Sequence, residues 1–265
     1  MAPTTMKAIQ IQQYNEPYHI SEVSIPKAKP HQVLVRIQAA GFCHTDLMAL
    51  KNEFNTMLPF IGSHEPPGSS KSIYGGIVRA DVPKGGSIGI VGIGGLGHLG
   101  TQIANCMGYK VAAIDVKQSA LDAVASYEHS PDTLILAMDP VEKSLDKING
   151  MISSDYPGLD ATVLATDHPA AFELAAALTR KHGTMVLLGQ PEKGITMSYQ
   201  TVIYKDIKLV GSLVADTAQA QELVELFHRN RLHVEITEWK MEEAEQMRQW
   251  YCSGASSGKN VIVME

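Results

Sequence analysis

Two groups of residues have types and spacing suited to chemistry. The first is Gly92-Ile93-Gly94-Gly95-Leu96-Gly97, a G-x-G-x-x-G run, with Asp115 lying 23 residues beyond Gly92. Alone, such a run is only a Gly-rich turn. Here it follows the short apolar stretch Ser87-Ile88-Gly89-Ile90-Val91 and opens a helical pattern, so the context reads strand, tight turn, helix. In that context the first glycine makes the turn and the second lets a pyrophosphate approach the backbone. The third lets helix and strand pack closely. The helix that starts at Leu96 and Gly97 then offers its N-terminal amides and dipole to the pyrophosphate. Asp115 ends the next strand, where a carboxylate accepts bonds from an adenosine ribose. It also repels a 2′-phosphate, so the pattern predicts NAD(H) rather than NADP(H).

The second group is Cys43-His44-Thr45-Asp46 and, about twenty residues later, Ser63-His64-Glu65. Thiolate, imidazole and carboxylate are all zinc donors, and a catalytic zinc takes three protein ligands and one open position. Cys43 and His64 make two, and Glu65 could make a third. His64-Glu65 does not fit H-E-x-x-H. Gly68 stands at the second histidine position, and Pro66-Pro67 forbid the helix that motif needs.

The elements that must position these groups follow from patterning. Residues 1 to about 60 read as short β segments, with alternation at Met6–Ile11 and Gln32–Ala39, Pro26 and Pro30 between them, and at most one helical turn at Thr45–Leu50. No helix of normal length is expected before Tyr74. From Gly86 the rhythm changes to strands at 87–91, 110–115, 132–137, 160–165, 184–189 and 207–213, with helices at 96–107, 118–126 and 169–179. Six strands alternating with helices predict an α/β fold, a doubly wound parallel sheet. A helix at 217–228, a strand at 234–239, a helix at 242–251 and a strand at 259–263 complete the chain.

Composition narrows the function classes. The 265 residues carry 22 Lys and Arg against 28 Asp and Glu, a net charge of −6, which opposes binding to a phosphate backbone, so no nucleic-acid partner is expected. The three cysteines, Cys43, Cys106 and Cys252, are too few for a disulfide framework or a four-cysteine zinc site, and they point to a reducing compartment. Met1–Tyr18 has no apolar core of a secretory signal. The uncharged run Gly85–Tyr109 contains nine glycines, which suit a strand-to-helix junction and not a membrane span. A cytoplasmic protein with no membrane partner is expected.

Taken in order, Gly41-Phe42-Cys43-His44-Thr45-Asp46, then Gly62-Ser63-His64-Glu65, then Tyr74–Gly100 and the Gly-rich half resemble the zinc-containing medium-chain alcohol dehydrogenase family. That resemblance implies a Rossmann domain over 74–212 and a GroES-like catalytic domain from 1–73 and 213–265. It implies NAD(H) and one catalytic zinc as cofactors, with Cys43, His64 and Glu65 around the metal. Thr45 would pass the proton of the substrate hydroxyl, His44 would meet the cofactor pyrophosphate, and Asp46 would orient the zinc-ligating imidazole. Lys259 would lie near the cofactor phosphates. The substrate would be a small-molecule alcohol or aldehyde. A homo-oligomer pairing through Ile207–Val214 is expected.

The chain departs from the family between Glu65 and Tyr74, where only Pro66–Ile73 stand. The family has there the rest of the GroES-like domain, the four-cysteine structural zinc loop and a third catalytic ligand, usually Cys. No structural zinc is therefore expected, and the GroES-like domain should be incomplete. Neither Cys106, on the helix after the Gly-rich loop, nor Cys252 replaces the lost ligand by motif. Met48 stands where many relatives carry a relay histidine, so a relay would end at His44 or at water. Two other readings stay open. One is a zinc-free reductase of the same superfamily, which the Cys43 and His64 motifs disfavour. The other is an NAD-binding remnant that lacks the third zinc ligand.

Overall fold

The computed structural model describes residues 3–62, 68–256 and 258–264. His64 and Glu65 lie outside the described residues. The chain divides into two compact units, Met1–Pro66 with Glu235–Glu265, and Pro67–Val234.

The first unit begins with β1 (Thr5–Ile11), which buries Ala8 and Ile11 and pairs antiparallel with β2 (His19–Ser24). Next come β3 (Ala39–Phe42), α1 (His44–Leu50) and the short β4 (Phe60–Ile61), which pairs with β1. The alternation at 32–38 does not become a strand. β3 starts only at Ala39, and Val33, Leu34, Val35 and Ile37 are exposed. The physical reason is that a strand persists where its N–H and C=O groups are paired. Among the described residues these four make no backbone hydrogen bond.

The second unit opens on α2 (Gly68–Arg79), a helix that begins before Tyr74 and so was not expected. Then follow β5 (Ser87–Val91), α3 (Gly97–Cys106), β6 (Lys110–Asp115), α4 (Gln118–Ala125), β7 (Thr133–Leu136) and α5 (Val141–Met151). The series continues with β8 (Leu159–Leu164), α6 (Pro169–Leu178), β9 (Thr179–Leu187), α7 (Tyr199–Lys205), β10 (Lys208–Gly211) and α8 (Thr217–Asn230). The six strands form one parallel sheet in the order β10-β9-β8-β5-β6-β7. Counted from β5, that is 6-5-4-1-2-3, the strand order of a doubly wound dinucleotide-binding sheet. Helices cover both faces. Ile73, Ile77, Leu99, Ile103 and Leu223 pack on one, and Ile148, Phe172, Ala175 and Leu178 on the other.

This unit runs past the boundary at 212 read from the sequence and ends at Val234. The cause is α8, which docks on α2 and α3. The Ala215 amide donates to the Lys71 carbonyl at 3.1 Å, and the Tyr74 hydroxyl donates to Glu222 Oε2 at 2.9 Å. Burial first, and then that bond, push the Tyr74 phenol up to about 12. Gln102 closes the junction, its amide donating to the His233 carbonyl while its oxygen accepts from the His233 amide, both at 2.9 Å.

The chain then returns to the first unit with β11 (Ile236–Lys240), α9 (Ala244–Cys252) and β12 (Lys259–Val263). β12 pairs parallel with β11 and antiparallel with β3, giving a second three-stranded sheet. Its core is small, with Phe42, Ala244, Met247 and Ile262 at the centre.

Candidate functional site

β5 is buried along its whole length, and its carboxyl end delivers the chain into the Gly-rich turn. Gly92 has φ +93°, a left-handed conformation that suits glycine, and its amide donates to the Ile114 carbonyl at 2.8 Å. A Cβ on Gly97 would lie 1.9 Å from the Gly92 carbonyl oxygen. The start of α3 is therefore pressed against the end of β5, as the third glycine of the motif requires. Gly94 is the opposite case. It is exposed at the tip of the turn, and a Cβ there would meet no atom within 4 Å. Gly95 and Leu96 are half-buried between these two points.

Asp115 joins this turn from the end of β6. Its Oδ2 accepts from the Ile93 amide at 2.6 Å and its Oδ1 from the Lys117 amide at 2.8 Å. The carboxylate thus fixes the turn's second residue. A carboxylate oxygen has two acceptor lone pairs, so each can also take a bond from a ribose hydroxyl. His98 is buried behind the turn with its Nδ1 at 3.0 Å from the Gly94 carbonyl. The donors of α3, the open tip at Gly94 and the Asp115 carboxylate together fit a dinucleotide.

The sequence reading missed the opposite wall. Strands β5 and β8 are neighbours from which the sheet is wound in opposite directions, and ligands bind at such a switch point. Thr166 and Asp167 follow β8 there. A Cβ on Gly92 would lie 2.8 Å from Thr166 Cβ, and one on Gly189 would lie 2.0 Å from the Thr166 carbonyl oxygen. Asp167 Oδ1 accepts from the Gln190 amide at 2.6 Å. The available signal was the polar run Thr166-Asp167-His168-Pro169 directly after a buried strand.

The remaining predicted site residues lie in the first unit. Cys43 is half-buried at the start of α1, and its amide donates to Asp46 Oδ2 at 2.9 Å. Asp46 is buried, and a Cβ on Gly62 would lie 3.8 Å from its Oδ1. His44 and Thr45 form the first turn of α1. Lys259 is buried at the start of β12, one step beyond the Asn260↔Phe42 pair, which sets it beside Cys43 at one end of the ladder. Among the described residues no three His, Cys, Asp or Glu side chains converge on one point. The predicted zinc set includes His64 and Glu65, outside those residues. Burial first, and the Glu128 charge second, push the Cys106 thiol up to about 11, which keeps it protonated and a poor metal ligand. Cys252 is exposed at the end of α9.

Fold and turn together define a doubly wound α/β sheet with a Gly-rich turn at its switch point. Residues 95–229 match the zinc-binding dehydrogenase family, and the chain belongs to that family. The matched stretch lies within the parallel-sheet unit and does not include Cys43, His64 or Glu65. An alcohol dehydrogenase of Geobacillus stearothermophilus is 23% identical over 345 aligned positions, covering 98% of this chain and 100% of the relative. Those 345 positions exceed the 265 residues of this chain by 80, so the relative carries at least that many residues with no counterpart here. The alcohol dehydrogenase of Aeropyrum pernix superposes with a TM-score of 0.84 at 20% identity, covering 98% of this chain and 100% of the other. The acetophenone reductase of Geotrichum candidum, solved in complex with NAD, superposes at 0.79 with 17% identity, covering 100% and 98%. No helix among the described residues is long and apolar enough to cross a membrane.

Proposed function

We propose that this chain is an NAD(H)-dependent oxidoreductase that interconverts a small alcohol and its carbonyl compound. The observation that carries the reading is the open position at Gly94, between a left-handed Gly92 and a closed Gly97, with Asp115 tied to the same turn. The relatives named alcohol dehydrogenase support the reaction class. When bound, the nicotinamide exchanges hydride, and a zinc polarises the substrate oxygen as a Lewis acid.

The chain's own residues do the rest. The α3 amides and the backbone at Gly94 hold the pyrophosphate, and Asp115 takes the ribose hydroxyls and rejects a 2′-phosphate. Cys43, with His64 and Glu65, would hold the zinc, and the Asp46 carboxylate would orient the ligating imidazole. Thr45 would carry the proton of the substrate hydroxyl toward His44 or water, since Met48 cannot relay it. His44 and Lys259 would meet the cofactor phosphates. A cytoplasmic homo-oligomer pairing through the β10 edge completes the proposal.

The test is NADH formation from a panel of primary alcohols with and without a chelator, on protein whose zinc content is measured after dialysis. Chelator-sensitive turnover with about one zinc per chain is the expected result. Asp115→Asn should weaken NADH binding about tenfold and narrow its margin over NADPH, because charge-assisted bonds are worth about 1.5–3 kcal/mol. A second reading, cofactor binding without turnover, is favoured by the 80 positions that this chain lacks against its relative. Tight NADH binding with no turnover on any alcohol would select it.

A further inference from the structure

We infer that His98 is a positioning residue for the Gly-rich turn, its ring holding the Gly94–Gly95 peptide so that the Gly95 amide faces outward to a dinucleotide pyrophosphate. The inference rests on the NAD(H) reading of this turn. Gly94 and Gly95 are adjacent glycines, and a glycine takes φ of either sign, so the peptide between them can invert at little cost. A Cβ on Gly94 would meet no atom within 4 Å, so packing does not hold the tip in place. Hydrogen bonds do. On one side of the tip Asp115 Oδ2 accepts from the Ile93 amide at 2.6 Å. On the other the Gly94 carbonyl accepts twice from one residue, from the His98 amide at 3.1 Å and from His98 Nδ1 at 3.0 Å. A carbonyl oxygen only accepts, so Nδ1 carries the proton in this contact.

The consequence follows from peptide geometry. In a planar trans peptide the carbonyl and the amide point in opposite directions. With the Gly94 oxygen drawn toward α3, the Gly95 N–H faces away from the helix. Among the described residues neither the Gly95 amide nor the Leu96 amide meets an acceptor. Such orphan donors at a helix start are satisfied by an anion. An inverted peptide would instead present the Gly94 oxygen, whose partial negative charge repels a pyrophosphate. The bond from the His98 amide is the ordinary closing bond of a first helical turn, and the ring adds a second. His98 is itself held. It is buried, and its carbonyl accepts from Thr101 Oγ1 and from Gln102 Nε2, both at 3.0 Å. Gln102 Nε2 also donates to the His233 carbonyl at 2.9 Å, so the clamp stands on a part of α3 that is tied to the chain after α8. The affinity gained by holding the donors ready is preorganisation.

The Nδ2 of an asparagine is attached to Cγ, as the Nδ1 of a histidine is. Asn230 on α8 makes the equivalent bond, its Nδ2 donating at 2.9 Å to the Leu226 carbonyl four residues back. His98→Asn therefore loses the ring and keeps the clamp, whereas His98→Leu keeps the bulk and loses the clamp. Packing and positioning thus rank the two variants in opposite order. NADH fluorescence titration on the full chain reads that rank, with denaturant unfolding to show that each variant is folded. His98→Leu should bind NADH about fivefold more weakly than the wild type, and His98→Asn should stay within about twofold of it. The loss in His98→Leu should recur with ADP-ribose, which carries the pyrophosphate without the nicotinamide. If only His98→Asn folds, its affinity relative to the wild type decides. His98→Leu binding as tightly as His98→Asn, whether both keep affinity or both lose it, would overturn the inference and leave the NAD(H) reading standing. So would a loss with NADH that ADP-ribose does not share. A wild type that binds neither NADH nor ADP-ribose would overturn that reading and the inference with it.

Discussion

A Cβ on Gly97 would fall 1.9 Å from the Gly92 carbonyl oxygen, whereas one on Gly94 would meet nothing within 4 Å. These two glycines of one motif thus serve different ends, and two substitutions separate them. Gly97→Ala forces α3 off the end of β5 and should cost about 3 kcal/mol, an overpacking penalty borne by backbone. Gly94→Val should leave stability within about 0.5 kcal/mol, as surface changes do. It should nevertheless lower NADH affinity at least tenfold, because the proposed function sets the cofactor pyrophosphate at that open tip. Denaturant unfolding and NADH fluorescence titration on both variants check the pair. Loss of binding only in step with loss of stability would mean that the turn is structural alone. This part of the site was legible because its residues are adjacent in sequence and their roles are set by local backbone geometry. Asp115 was legible for the same reason, since it ends the very next strand. Thr166, Asp167 and Gly189 were not. They reach the turn only through the pairing of β5 with β8 and of β8 with β9.

At the scale of elements, β5, β8 and β9 are fastened at their amino ends by one carboxylate. Asp160 Oδ2 accepts from the Ser87 amide at 2.7 Å and the Ser87 hydroxyl at 2.8 Å, and Oδ1 accepts from Arg180 Nε at 2.6 Å. Burial pushes the Asp160 carboxyl up, but the Ser87 and Arg180 bonds outweigh it and hold the carboxyl below its ordinary value. A depressed carboxylate stabilises the fold above its unfolded pKa, near 3.9, and that contribution disappears as pH falls through the folded value. Asp160→Asn should therefore cost about 1–3 kcal/mol at neutral pH, and the gap to wild type should close below about pH 4. Urea unfolding of both proteins from pH 7 down to pH 3 measures it, and a gap that stays constant would deny the carboxylate this role. The strands that Asp160 ties were readable as short buried apolar runs. Three helices were not. The α2 sequence GSSKSIYGGIVR is poor in helix formers, and tertiary packing makes it a helix. Ile73 and Ile77 are fully buried, and Gly75 and Gly76 admit the Ala215 backbone and the Leu188 side chain. The mixed sequence VEKSLDKINGM became α5 on two buried positions, Ser144 and Ile148. Helix α7 buries none of its residues and left no apolar stripe to read. Residues 32–38 erred the other way, with strand-like alternation but no described strand beside it.

The whole chain spreads its core unevenly. The parallel-sheet unit holds two large buried clusters, one on each face of the sheet, whereas the other unit centres on Phe42, Ala244, Met247 and Ile262. Local opening costs least where few apolar groups are buried and backbone bonds are few. Lys27 is exposed, lies between Ser24 and Ala39 with no assigned strand or helix around it, and is followed by Ala28, which trypsin accepts. Limited trypsin digestion should therefore cut after Lys27 before it cuts anywhere between Ser87 and Leu187. Ligand linkage adds a second arm. A cofactor at a hundred times its dissociation constant stabilises the form that binds it by about 2.7 kcal/mol. Where cleavage requires opening of the sheet, NADH should slow it by about a hundredfold, because the population of the open form falls by that factor. Cleavage after Lys27 requires no such opening and should keep its rate. Mass spectrometry of timed digests with and without NADH follows both sites at once. If residues 3–62 survived as long as 68–234, the small core would be holding its unit as firmly as the sheet holds the other. If NADH slowed both cuts equally, opening at Lys27 would be part of the same cooperative unfolding as opening of the sheet.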